Sequence, residues 1–156
     1  MIWRLRFRMT KREKTGIQLS DLEEGMSLPA LTRKITQEKI NLYAEASGDF
    51  NPIHIDPEFA GKTPLGGTIA HGMLILAYVS HMMTLNFGKP WLTDGKLSVR
   101  FKSPARPGDT VTVNSTVRKL TETENGRVLV KCEVVVQNQD SETIIIADAS
   151  VRIPRQ

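Results

Sequence analysis

A single cysteine stands among the 156 residues, so no disulfide can form within the chain. That excludes the stapled scaffolds of small secreted proteins and suits a reducing compartment. The thiol, Cys132, sits in the alternating series Val128, Val130, Cys132, Val134, Val136 and reads as a buried small hydrophobe with no catalytic role. Long apolar runs are missing as well. The most apolar stretch, near Met73–Val79, is far too short to span a bilayer. A phosphate-cradling P-loop, a Rossmann glycine pattern and a G-x-S-x-G elbow are all absent, which excludes the usual nucleotide-binding and serine-hydrolase signatures. No residue pair has the close spacing of a zinc site. A set built from His54, Asp56 and His71 is the metal alternative, and it ranks below acid–base chemistry.

Acidic residues are all but missing from the first 14 positions, which carry six Lys/Arg against Glu13 alone. The other 142 residues hold 15 basic and 16 acidic side chains, so the pI of 9.4 belongs to the leader and the body is close to neutral. That distribution speaks against a nucleic-acid partner. With 40% hydrophobic and 24% charged residues the composition is ordinarily globular. We expect residues 1–16 to form a basic extension and residues 17–156 a single domain. The expected location is cytoplasmic, or an organellar matrix if the leader is a targeting segment, with no membrane partner.

What is present has a clear order. Leu28–Ile35 reads as a short strand, and Thr36 as the N-cap of a helix that runs to Ser47 and stops at Gly48. Residues 48–68 read as a long structured loop punctuated by Pro52, Pro57, Pro64 and Gly66-Gly67. From Ile69 to Phe87 the chain is apolar on nearly every side, as a buried helix would be. The period then changes to two: Leu97, Val99, Phe101; Val111, Val113, Val117; Val128 to Val136; and Ile145 to Ile153. Asn125-Gly126 signals a hairpin, and Gln139-Asp-Ser a further turn. The expected fold class is α+β: an antiparallel meander packed on one long central helix.

The chemistry concentrates in Tyr43-Ala-Glu-Ala-Ser-Gly-Asp49-Phe-Asn51-Pro-Ile-His54. Asp49 alone reads best as a turn residue after a helix, and Asn51-Pro52 as a turn starter. His54 alone reads as a packed or surface histidine. The grouping changes the balance, because all three histidines (His54, His71, His81) fall between positions 54 and 81, beside the densest Gly/Pro punctuation. A carboxylate and an imidazole aimed at one point can take one proton and give another. His71-Gly72 opens the apolar helix. There the free N–H groups of a helix start, with glycine permitting close approach, suit an oxyanion site. His81 reads as a core or interface histidine.

The stretch 43–60 resembles the hydratase signature of the MaoC-like family, which includes (R)-specific enoyl-CoA hydratases. Gly67-Thr-Ile-Ala-His-Gly-Met-Leu74 is similar to the start of that family's central helix, and Phe101–Thr110 to its strand-turn-strand link. The resemblance covers roughly residues 17–154. It implies a hot-dog fold, an antiparallel sheet wrapped around a long central helix, usually paired into a homodimer. It also implies reversible hydration of trans-2-enoyl thioesters of CoA or acyl carrier protein to (R)-3-hydroxyacyl products. No cofactor or metal would be needed beyond the CoA or phosphopantetheine of the substrate. Asp49 would act as base, His54 as proton donor and Gly72 N–H as oxyanion donor. Asn51, His71, Phe50, Arg100 and Lys102 would contact substrate, with Lys96 and Arg106 as further candidates for phosphate. A hot-dog acyl-thioesterase and a non-catalytic acyl-thioester-binding subunit are the alternatives.

Overall fold

The computed structural model describes residues 16–155. The expected basic extension therefore lies, apart from Gly16, outside the described residues. β1 (Ser27–Lys34) leads into α1 (Gln37–Ser47), whose ends fall where the residue types put them. The Thr36 hydroxyl accepts the Lys39 N–H at 3.2 Å, and Gly48 takes the left-handed φ of 75° that ends the helix. Then follow α2 (Pro52–Ile55), α3 (Pro57–Gly61), α4 (Gly72–Phe87) and α5 (Lys89–Asp94). β2 (Lys96–Phe101), β3 (Thr110–Glu122), β4 (Arg127–Gln137) and β5 (Thr143–Pro154) complete the chain.

The five strands form one antiparallel sheet in the order β1-β3-β4-β5-β2. The meander expectation holds for β3, β4 and β5, and Asn125-Gly126 turns the first of these hairpins. It fails for β2, which pairs with β5 (Val99 opposite Ala147) instead of with β3. The 102–109 link explains the departure. Lys102 N–H bonds the Ile144 carbonyl and Ala105 carbonyl receives the Ala70 N–H, so the chain passes beneath the start of α4 before β3 begins.

Alternate residues of β4 (Val128, Val130, Cys132, Val134, Val136) are buried, as their period of two requires. They face Ile75, Val79, Met82, Met83 and Phe87 of α4, and the buried members of both elements belong to one core cluster. Burying each such side chain stabilises the fold by roughly 1.5–3 kcal/mol. α4 is not buried all round, however. Met73 and Leu85 are 57% and 51% exposed, and Ala77 and His81 lie on the same outward side. The core placement considered for His81 is therefore overturned. An apolar face is left turned away from the sheet, because one sheet covers only one side of a helix. Among the described residues no helix is long and apolar enough to cross a membrane.

The environment of Cys132 makes a direct test of this core. Burial pushes its thiol up to about 11, so it stays protonated at every ordinary pH. Ellman's reagent at pH 8 should label nothing in the folded protein and one thiol per chain after guanidinium denaturation. Fast labelling of the folded chain would place Cys132 outside the core.

Candidate active site

Past Gly48 the chain turns on its own side chains. Asp49 Oδ1 accepts the Asn51 N–H at 3.2 Å, and Asn51 Oδ1 in turn accepts the Ile53 N–H at 3.2 Å. Asn51 is thus the N-cap of α2, with Pro52 supplying the fixed φ of the first helical position. The residue expected to contact substrate spends its carbonyl on this cap. Asp56 does the same for α3, accepting from Glu58 and Phe59 N–H at 3.0 Å each. The carboxylate that lies with His54 and His71 is that of Asp49, so Asp56 does not join the histidines in the alternative metal set. The stretch expected as a loop contains these two short helices because each carries a cap and a proline at its start.

The single turn of α2 delivers His54 into the interior, where its Nδ1 lies 2.8 Å from the Ile69 carbonyl. A carbonyl can only accept, so Nδ1 carries the hydrogen and the working nitrogen is Nε2. Gln37, which the sequence did not single out, braces this arrangement. Its amide donates to the His54 carbonyl at 2.7 Å and to Asn41, while its oxygen accepts the Thr68 hydroxyl at 2.7 Å. Only its position on the first turn of α1, beside the motif, could have marked it.

His71 Nε2 lies 2.9 Å from the main-chain carbonyl of Asp49 and 4.0 Å from its Oδ2. Its ring stacks on His54, with centroids 3.8 Å apart and planes 29° apart, and Tyr43 packs at 4.9 Å. The structure places His71 beneath the site, 2% exposed, rather than on an open wall where a substrate contact was expected. One atom each from Asp49, His54 and His71 lies within 4.8 Å of the others. By distance alone such a trio can hold a metal. A carboxylate oxygen and a ring nitrogen at that spacing can share a water, each at hydrogen-bond length. The Asp49 side chain is 53% exposed, and its Oδ2 is open to such a molecule.

Gly72 begins α4, and no side chain caps that helix start. The first N–H groups of a helix have no partner within it, so they remain available as donors. A Cβ at Gly72 would stand 2.9 Å from Cε1 of Phe101, so glycine is what permits the ring to lie against the backbone. Gly72 lines a pocket of about 340 Å³ with Leu65, Ile69, Ile75, Phe101 and Lys102, a size fit for a small-molecule group. Lys102 is therefore at the pocket, while Arg100 is exposed on the outward side of β2 and does not line it. Phe50 is exposed beside Asp49. A larger groove of about 430 Å³ lies across the sheet strands among Lys96, Lys119 and Lys131. Neither cavity is lined by Asp49 or His54; the smaller one reaches the site through Gly72 and Ile69.

Residues 22–139 match the family model described as MaoC like domain. The chain is 30% identical over 141 residues to the 3-hydroxybutyryl-CoA dehydratase of Methylorubrum extorquens, covering 90% of this chain and 86% of that one. It is 36% identical over 123 residues to the 3-hydroxyacyl-thioester dehydratase Z of Mycobacterium tuberculosis, covering 76% and 82%. Among solved structures, the (R)-hydratase from A. caviae involved in PHA biosynthesis superposes with a TM-score of 0.72 at 27% identity, covering 85% of this chain and 98% of that one.

The capping role of Asn51 is separable from chemistry. Asn51→Ala should lower stability by about 1 kcal/mol, and Asn51→Ser, which keeps an accepting oxygen, by much less. For a chain of this size that loss amounts to roughly 2–4 °C in melting temperature, read by calorimetry. Equal melting temperatures for the two variants would remove the cap from the account.

Proposed function

The chain belongs to the MaoC-like domain family and has its hot-dog fold, and on that footing we propose that it adds and removes water across the double bond of trans-2-enoyl thioesters. The observation that carries the proposal is the meeting of an Asp49 carboxylate oxygen and a His54 ring nitrogen, within 4.8 Å, beside the uncapped start of α4. The substrate is an acyl group on CoA or acyl carrier protein. No cofactor is required, since the thioester itself activates the double bond.

The thioester carbonyl sits at Gly72, whose N–H receives the negative charge as the enolate forms. A water lies between Asp49 Oδ2 and His54 Nε2. Asp49 takes one proton as the oxygen bonds to Cβ, and His54, which enters the step with a hydrogen on both ring nitrogens, gives its Nε2–H to Cα on the same face. The proton on Asp49 then returns to His54, which resets the pair. The His54–Ile69 bond at 2.8 Å holds Nδ1–H throughout, so only Nε2 exchanges protons. The face of the double bond turned toward the pair, and not same-side addition by itself, makes the product the (R)-3-hydroxyacyl thioester. Lys102, at the pocket mouth, favours the phosphate of the incoming arm.

A second copy of the chain completes the unit. β2 is an edge strand, and the outward side of α4 presents Met73, Ala77 and Leu85. Unpaired strand edges and exposed apolar faces are what protein–protein contacts cover. Sedimentation of the purified chain should give the mass of a homodimer, and a monomer at micromolar concentration would overturn this part.

Loss of enoyl absorbance with crotonyl-CoA is the direct assay, with chiral analysis of the product. Asp49→Asn and His54→Gln should each lower hydration by about 10²–10⁴-fold. Near-normal hydration by Asp49→Asn would sink the assignment of that residue. Release of free thiol without loss of the double bond would make the protein a thioesterase instead.

A further inference from the structure

His71 is the most buried polar residue of the site, and only one of its two ring nitrogens is bonded. Its Nε2–H donates to the Asp49 carbonyl, while Nδ1 is buried with no partner at all among the described residues. A buried acceptor left unmatched destabilises a fold, and native proteins keep such atoms where function requires them. The ring also does not cap the helix it precedes. What it does touch are the two reacting residues. It bonds the main chain of Asp49 at 2.9 Å and lies flat against His54 at 3.8 Å.

We propose that His71 is a positioning residue that fixes the distance between Asp49 and His54 and thereby sets the turnover rate. Each half of the pair has its own anchor. His54 is tied to Ile69 through Nδ1, and among the described residues the Asp49 side chain accepts a hydrogen bond only from Asn51 N–H, two residues away in the same turn. Asn51 also accepts the His54 N–H at 2.9 Å, but neither of these bonds reaches the His54 ring. His71 supplies the relation, because one rigid ring is in contact with both. Its own place is secured by the adjoining residues: Ala70 N–H bonds the Ala105 carbonyl, and Tyr43 packs on the ring. The spacing matters, because a displacement of about 1 Å between reacting groups is enough to cost on the order of 10²-fold in rate.

This inference rests on the hydratase reading, and two variants test it. His71→Phe keeps the flat ring against His54, removes the unmatched Nδ1 and loses the bond to Asp49. It should melt at or above the wild-type temperature, while kcat for crotonyl-CoA falls by about 10–100-fold with KM little changed. His71→Gln, whose amide nitrogen reaches as far as Nε2, should recover most of that kcat. Wild-type kcat in a folded His71→Phe protein would overturn the proposal. So would a loss in His71→Phe that His71→Gln does not repair. Crystal structures of the variants decide the matter without any assay. The Asp49–His54 spacing should open in His71→Phe and close again in His71→Gln, and an unchanged spacing in His71→Phe would also overturn it. A wild-type protein that hydrates no enoyl thioester would fail the hydratase reading itself, with the structural comparison still standing as the test of position.

Discussion

Ile69 is clamped from both sides, and the site hangs on that clamp. Its N–H donates to the Ile53 carbonyl at 3.1 Å, and its own carbonyl receives His54 Nδ1–H at 2.8 Å. The partners on one side belong to a four-residue helix too short to stand by itself. On the other side the chain runs within three residues into α4, which is seated on the sheet by Ile75, Val79, Met82 and Met83. A net gain of roughly 0.5–1.5 kcal/mol per bond is modest. Direction is what these bonds add. They carry the rigidity of a packed helix into a single turn that has no core of its own, and they settle which nitrogen of His54 faces the reaction.

Asp49 shows why the plain and the chemical readings of a residue need not compete. As a turn residue it uses Oδ1 to accept the Asn51 N–H, and this leaves Oδ2 uncommitted. Under the hydratase reading one carboxylate thus does both jobs, one with each oxygen. Asn51 went the other way. Its carbonyl is taken up by the Ile53 N–H, so the plain reading accounts for that oxygen. The difference lies in valence: a carboxylate has two equivalent acceptors to divide, whereas an amide has one.

The same logic decides what was legible in the sequence. Thr36 and Gly48 marked the ends of α1 because caps act within a few residues, and the strand period survived because each strand buries one face. Asn51-Pro52 and Asp56-Pro57 are helix starts of the same local kind, yet their helices span four and five residues and left no periodicity to read. The pairing of β2 with β5 was not legible, since register across a sheet depends on residues some fifty positions apart. The outward face of α4 was misread for a related reason: apolar residues look alike whether the sheet or another surface covers them. In the site, the type and grouping of Asp49, His54 and Gly72 could be read, but the bracing by Gln37 and the burial of His71 could not, because both are set by tertiary distances.

The start of α4 is where the rule for stable helices and the rule for this chemistry diverge. α1, α2 and α3 all begin with a capping oxygen, from Thr36, Asn51 and Asp56. α4 is the longest helix among the described residues, and it begins with His71, which caps nothing. A Ser or Asn there would stabilise the helix by about 1 kcal/mol, its oxygen accepting from the second or third helical N–H and standing as a competing acceptor beside the Gly72 N–H at the pocket. Under the hydratase reading the Gly72 N–H receives the enolate charge, and losing such a donor costs about 2.7–4 kcal/mol of barrier. The reaction term is the larger by a factor of about three. A residue that leaves the helix start open, and uses its ring to hold Asp49 instead, is therefore the one that the balance of these two terms selects.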